Sequence, residues 1–192
     1  MEKQPIESFI NKIICGDSLQ IMKTFPDKSV DLVLCDPPYG IGYAEWDFID
    51  FEKLLDEIVI EFKRILKEGC PAFIWFPKKF LYELSKLEYK FDVFIETKNF
   101  ALVRKNQIMI DCWVPILMIK QGNKQGNKQG NKQGKNWFMI NSANTGDNEN
   151  NPRKFGHPTG KDIQICKYII NDNKGKNDVI LDPFLGSGTT AV

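Results

Sequence analysis

The chain holds a single histidine, His157, so a metal centre built on paired imidazoles has no ligands to draw on. Its five cysteines (Cys15, Cys35, Cys70, Cys112 and Cys166) form no C-x-x-C pair, which removes the usual zinc and dithiol patterns. Four of them sit in or beside apolar runs, where a thiol behaves as a small hydrophobe, and buried thiols are the expectation. No apolar run approaches the roughly 20 residues that span a bilayer. The opening Met1-Glu2-Lys3-Gln4-Pro5 lacks the apolar stretch of a secretion signal. No membrane partner is expected, and the expected compartment is the cytoplasm. What remains, 192 residues that are 42% hydrophobic and 27% charged, is the make-up of one globular domain over residues 1–192.

Net charge is only +1, but its distribution is uneven. Between Lys98 and Lys161 eleven lysines and arginines face three acids, Asp111, Asp147 and Glu149, a local +8 against −7 elsewhere. A protein with one anion-facing side shows such asymmetry, and so does a merely solvated basic loop.

Strand and helix signals alternate. Ile13-Ile14-Cys15 reads as a short strand ended by Gly16-Asp17, followed by a helix through Leu19, Met22 and Phe25 that Pro26 stops. Val30 to Cys35 is too uniformly apolar for a half-exposed strand and reads as a parallel strand buried on both faces. Phe51 to Leu66 sets Leu54, Leu55, Ile58, Val59, Phe62, Ile65 and Leu66 on one helical face. Ala72 to Phe76 is another buried strand, Lys79 to Leu87 a second helix, and Phe91 to Glu96 a further strand. Trp113 to Ile119 is a strand whose Pro115 suggests an edge or a bulge. A helix carrying Ile163, Ile165, Cys166, Ile169 and Ile170 precedes the strand Val179 to Asp182. The alternation implies an α/β sheet with right-handed crossovers.

The sequence Asn-Lys-Gln-Gly occurs three times in tandem over residues 123–134. A glycine in every turn costs a helix about 1 kcal/mol each relative to alanine, with no apolar residue to offset it. The stretch from about 120 to 136 therefore reads as a flexible low-complexity insertion.

Directly after the buried strand comes Asp36-Pro37-Pro38-Tyr39-Gly40. The two proline rings lock φ and keep Asp36 and Pro37 extended. The turn is thus stiff, and it sits at the carboxyl end of a parallel strand, where open α/β sheets bind ligands. A carboxylate, a carbonyl with no accompanying N–H at Pro37, and the aromatic face of Tyr39 suit an exocyclic amine. An aromatic amine is a poor nucleophile because its lone pair is delocalised. Two acceptors on its hydrogens favour the pyramidal transition state in which charge develops, while Tyr39 stacks on a base taken out of its duplex. The same residues also describe a rigid loop with a helix-capping aspartate.

The second motif, Asp182-Pro183-Phe184-Leu185-Gly186-Ser187-Gly188-Thr189-Thr190, lets the backbone approach a ligand closely. It lacks the lysine of a P-loop and the third glycine of a dinucleotide fingerprint.

Together, Gly16-Asp17-Ser18, Asp36 to Gly40, His157-Pro158-Thr159-x-Lys161 and Asp182 to Thr190 resemble, in order and spacing, the motif set of the β-class DNA amino-methyltransferases. The resemblance implies a class I S-adenosylmethionine-dependent methyltransferase-like (Rossmann-like) α/β sheet, circularly permuted. It implies S-adenosylmethionine as cofactor and methyl transfer to adenine N6 in double-stranded DNA with a flipped target base. Asp36, Pro37, Pro38 and Tyr39 would form the amine site. Phe184, Gly186 and Gly188 would cradle the cofactor beside Asp182, Asp17 would meet its adenine, and His157, Thr159 and Lys161 would flank its methionine end. Asp17 equally suits a helix cap, and His157 a turn before Pro158. No metal is implied.

Cytosine-N4 methylation uses the same amine logic and is the nearest alternative. Cytosine-C5 chemistry needs a nucleophilic cysteine, usually after proline, and no Pro-Cys occurs. The resemblance also admits a homodimer and a cognate restriction endonuclease, and it places target recognition at residues 120–155. Two departures stand out: Asp162 follows Lys161 where the family has proline, and no acidic residue follows the glycines at about 20 residues to hold a ribose. The expectation is a chain without its last βα segment, whose missing strand would lie between those ending at Asp182 and Cys15. By itself such a chain would not be a competent methyltransferase, and a catalytically dead nucleic-acid-binding remnant is the rival reading.

The repeat supplies a first prediction. Deleting residues 123–134 should leave the unfolding midpoint unchanged, because loop-closure entropy varies slowly with length. If its lysines neutralise phosphates, the deletion also makes the salt dependence of DNA binding shallower, whereas an unchanged slope marks a neutral insertion.

Overall fold

The structure, a computed structural model, describes residues 2–42, 47–86, 90–102, 111–122, 137–140, 161–173 and 175–191. Six strands, β1 (Leu32–Cys35), β2 (Pro71–Trp75), β3 (Phe91–Leu102), β4 (Asp111–Lys120), β5 (Trp137–Ile140) and β6 (Ile180–Leu181), form one sheet in the order β5-β3-β4-β2-β1-β6. The helices are α1 (Ser18–Lys23), α2 (Phe51–Ile65) and α3 (Ile163–Asn173). β1 runs parallel to β2 and to β6, whereas β4 is antiparallel to both β2 and β3.

All four residues of β1 are buried, as are all five of β2. Alternation along each strand divides two cores. Val33, Cys35, Ala72 and Ile74 pack with the α2 face formed by Leu55, Ile58, Val59, Phe62 and Ile65. Leu32, Leu34, Phe73 and Trp75 pack with Ile165, Cys166 and Ile169 of α3. Both faces of the central strands are covered, which is why their sequences read as unbroken apolar runs.

α2 starts where the Asp50 carboxylate accepts the Lys53 N–H at 3.1 Å. Arg64 near its end donates to the Met22 carbonyl at 2.7 Å and the Phe25 carbonyl at 2.8 Å, tying α2 to the end of α1.

Four expectations need correction. Ile13-Ile14-Cys15 is not a strand: Ile13 is 79% exposed, and β6, not this segment, closes the sheet on that side. Local apolarity does not make a strand without a neighbour to pair with, and Cys15 is accordingly exposed rather than buried. Lys78–Lys86 is a 3-10 segment rather than an α-helix. β4 is interior, not an edge, despite Pro115. The Pro115 carbonyl accepts the Phe76 N–H at 3.0 Å, just past the end of β2. The proline nitrogen faces the same way, so its missing donor falls where the ladder has already stopped. The irregularity lies instead in the β3–β4 register between Thr97 and Leu102.

Buried Asp31 seats β6. Its carboxylate accepts the Val179 N–H at 2.9 Å and pairs with Lys67 at 2.7 Å, while its own N–H donates to the Val179 carbonyl at 2.9 Å. Asp182, one residue beyond β6, is thereby brought to the same end of the sheet as Asp36, one residue beyond β1. Asp31→Ala leaves the Val179 N–H without its acceptor and should cost about 1–3 kcal/mol in urea unfolding. Most of that loss comes from the N–H, since the Lys67 end of the ion pair is half-exposed and the pair contributes less.

Candidate active site at the ends of β1 and β6

A cavity at the carboxyl ends of β1 and β6 is lined by Asp36, Trp75, Lys161, Asp182, Phe184 and Gly186, among others. It joins the Asp-Pro-Pro-Tyr turn to the glycine-rich loop, two segments separated by nearly the whole chain.

The Tyr39 hydroxyl donates to Asp36 Oδ1 at 2.6 Å, and Lys161 Nζ stands 2.7 Å from Asp36 Oδ2. Lys161 also lies 3.5 Å from the Tyr39 oxygen, and 5.6 Å from the centre of that ring. An ionised carboxylate offers about four lone-pair sites, so Asp36 keeps acceptor capacity after these two bonds. The Tyr39 ring meets Phe51 edge-on, and Phe51 in turn stacks on Phe80 at 4.8 Å. One end of Tyr39 is thus anchored in the core while its hydroxyl stays at the site.

Lys161 owes its place to α3. Asp162, which stands where the resembled motif has proline, accepts the Gln164 N–H at 2.8 Å and starts that helix. The departure is therefore a helix-initiating device.

In the loop after β6, the Asp182 carboxylate accepts the Phe184 N–H at 3.0 Å. Gly186 and Gly188 have φ of +53° and +79°, and the Gly188 N–H donates to the Leu185 carbonyl at 2.9 Å. At Gly188 an added Cβ would meet no protein atom within 4 Å. Glycine is required there by the left-handed backbone rather than by crowding, and the loop backbone stays open to a ligand.

Burial raises the Asp182 carboxyl above its ordinary range, against a hydrogen bond from Thr190, with a further upward push from Asp36. Burial also pushes the Cys166 thiol up to about 12 and the Cys35 thiol well above its usual value, with Asp182 adding to both. Neither sulfur is a thiolate near neutral pH, so neither is poised as a nucleophile. The Tyr39 hydroxyl is raised well above its ordinary value, first by burial and then by the Asp36 charge.

Of the residues singled out from sequence, Asp36, Lys161, Asp182, Phe184 and Gly186 line this one cavity. Tyr39 joins them through Asp36, and Pro37 and Pro38 lie between the two. Asp17 is not among the lining residues. Its carboxylate accepts the Gln20 N–H at 2.9 Å and caps α1. His157 and Thr159, most of the low-complexity insertion and most of the basic stretch lie outside the described residues. Sequence reasoning missed Trp75, whose indole N–H donates to the buried Glu96 carboxylate at 3.0 Å, and Cys166. Both reach the site through the α3 core, and an apolar run carries no signal of that.

The sign of the Tyr39 shift yields a prediction. The folded chain holds the phenol proton more tightly than the unfolded chain does. This stabilisation is complete below the ordinary phenol pKa and is lost as pH rises through the raised one. Tyr39→Phe should therefore flatten the alkaline limb of a stability–pH profile and remove a late-titrating phenol from an absorbance titration.

Residues 114–192 match the family N6_N4_Mtase, described as DNA methylase. The type II methyltransferase M.HinfI of Haemophilus influenzae is 26% identical over 99% of this chain and 63% of its own length. The DNA adenine methyltransferase YhdJ of Escherichia coli K12 is 27% identical over 93% of this chain and 72% of its own. The chain thus spans somewhat under two thirds of the first of these relatives. Among solved structures, the M1.HpyAVI–SAM complex superposes with a TM-score of 0.68 at 24% identity, covering 93% of this chain and 84% of that one. PvuII DNA methyltransferase (cytosine-N4-specific) superposes with a TM-score of 0.67 at 18% identity, covering 92% and 74%. Among the described residues no helix is long and apolar enough to cross a membrane. Residues 114–192 are thus similar to the N6/N4 DNA methylases, and the chain has the fold of these solved methyltransferases.

Proposed function

We propose that the chain is the catalytic core of a DNA methyltransferase that carries a methyl group from S-adenosylmethionine to adenine N6. The observation that carries this reading is the shared cavity: the amine-accepting turn at Asp36 and the glycine loop at Gly186 open onto one space.

The residues present fit that cofactor. Among the described residues the cavity is lined by two carboxylates, Asp36 and Asp182, against one cation, Lys161, which favours a ligand with cationic groups. Phe184 and Trp75 supply apolar walls, and the loop at Gly186 and Gly188 admits a close backbone approach. Lys161 is the cation available to the cofactor's carboxylate, with His157 and Thr159 the further candidates of its motif. S-adenosylmethionine, when bound, supplies an electrophilic methyl on a sulfonium.

The protein's part is to present the acceptor. Asp36 and the Pro37 carbonyl accept the two amine hydrogens and draw electron density back onto the nitrogen as it becomes positive. Tyr39, held by Phe51 and Asp36, offers its ring to the extruded base. The nitrogen then sheds one proton, and no covalent enzyme intermediate is needed. The raised thiols of Cys35 and Cys166 accord with that.

Cytosine N4 is the second reading, favoured by the superposition on a cytosine-N4-specific enzyme. Digesting DNA methylated by an active form of the enzyme to nucleosides and weighing them separates N6-methyladenine from N4-methylcytosine, and methylation that yields neither product refutes both readings. Asp36→Ala should lower methyl transfer by about 100-fold or more, the usual consequence of removing one transition-state partner. Cofactor affinity, measured by calorimetry, should stay within a few-fold. Transfer above about a tenth of the parent's rate removes Asp36 from the amine site.

A further inference from the structure

Asp47 is 1% exposed, and its carboxylate is turned onto the backbone that follows the Asp-Pro-Pro-Tyr turn. Its Oδ1 accepts the N–H of Tyr39 at 2.7 Å and of Gly40 at 2.9 Å, and its Oδ2 accepts the N–H of Ile41 at 3.1 Å. Pro37 and Pro38 have no N–H, so these are the first three donors the chain offers after Asp36. All three go to one side chain. Asp47 itself does not line the cavity.

The loop is folded back tightly at this point. Gly40 has φ of +63°, and a Cβ there would fall 2.4 Å from the Ile49 carbonyl oxygen, so only glycine fits. A buried carboxylate is costly unless its lone pairs are filled. Three charge-assisted bonds from consecutive amides fill most of them and fix those peptide planes.

We propose that Asp47 is a positioning residue for the target-amine site, clamping the amides of Tyr39 to Ile41 so that the Tyr39 ring and its hydroxyl are aimed at Asp36. With φ fixed by the rings at Pro37 and Pro38, the remaining backbone freedom between Asp36 and Tyr39 is ψ at the prolines and φ at Tyr39. The bond from Asp47 to the Tyr39 N–H orients the Pro38–Tyr39 peptide and so holds ψ at Pro38, while the bond to the Gly40 N–H holds the peptide on the other side of Tyr39. A base stacked on Tyr39 needs its amine at hydrogen-bond distance from Asp36, placed to within about 0.5 Å, and site groups perform only when so held. The functional part of this inference rests on the reading of the turn as an amine site. The clamp itself does not.

The test labels the 192-residue chain with 3-fluorotyrosine. Five tyrosines give five fluorine signals, and the Tyr39 signal is identified by its loss in Tyr39→Phe. Asp47→Asn keeps the shape but replaces one acceptor oxygen with an NH₂ that opposes the loop donors. Asp47→Ala removes both acceptors. In folded protein, checked by near-ultraviolet circular dichroism, the Tyr39 signal should shift or broaden in Asp47→Asn and more so in Asp47→Ala. The signals of exposed Tyr82 and Tyr168 should stay in place.

A Tyr39 signal unchanged in folded Asp47→Asn and Asp47→Ala overturns the proposal. So does movement of every tyrosine signal together, or failure of both variants to fold, since Asp47 would then support the fold at large. In methyl transfer the variants should lose turnover by about 10- to 100-fold, with cofactor affinity unchanged. A displaced Tyr39 signal with methyl transfer to DNA unchanged, measured in a chain that is itself active, leaves the clamp standing and removes the amine-site reading instead.

Discussion

β1 is buried on both faces, Val33 and Cys35 toward α2 and Leu32 and Leu34 toward α3, and the site follows from where that burial stops. A strand so enclosed leaves its core only at its ends. The first residue beyond Cys35 is Asp36, half-buried at the carboxyl edge of the sheet. Because β6 pairs in parallel with β1, Asp182 emerges at the same edge. Two carboxylates distant in the chain are thus neighbours, and each adds to the upward push that burial gives the Cys35 thiol. If β1 were half-exposed, the turn after it would have no fixed frame.

The electrostatics of the site follow from that crowding. Asp36 is held by a 2.7 Å pair with Lys161 and a 2.6 Å bond from Tyr39. Asp182 lies deeper and is pushed toward its neutral form by burial, with Thr190 and the Phe184 amide working against the push. Similar residues therefore differ in their environments, one paired with a cation and the other satisfied by neutral donors. Tyr39 is kept protonated by burial and by Asp36, so it donates a hydrogen bond and bears no charge. A polar cluster of this kind, partly screened from water, holds its geometry because most of its members have directed partners.

The central strands, α2 and α3 were legible because each carries a strong local signal. β1 and β2 are unbroken apolar runs, α2 shows helical periodicity over 15 residues, and α3 does so over 11. The Asp36 turn and the glycine loop were legible because prolines and glycines constrain the backbone wherever they stand. Other parts were not. Ile13-Ile14 has the composition of a strand without a partner, Pro115 sits in a central strand because of where β2 ends, and Asp47 is one aspartate among many until its carboxylate is seen to meet three amides.

The sequence by itself determined which segments are apolar on one face or two, where the chain is stiff, and which residues of catalytic type stand beside those stiff points. These are properties of neighbouring residues, set by steric restriction and by periodicity. Only the tertiary structure decided that Asp36, Lys161 and Asp182 share a cavity, that Asp17 caps a helix, and that Trp75 and Glu96 support the site. Those outcomes depend on strand order and register, in which residues more than a hundred positions apart become neighbours, and no local pattern encodes the pairing.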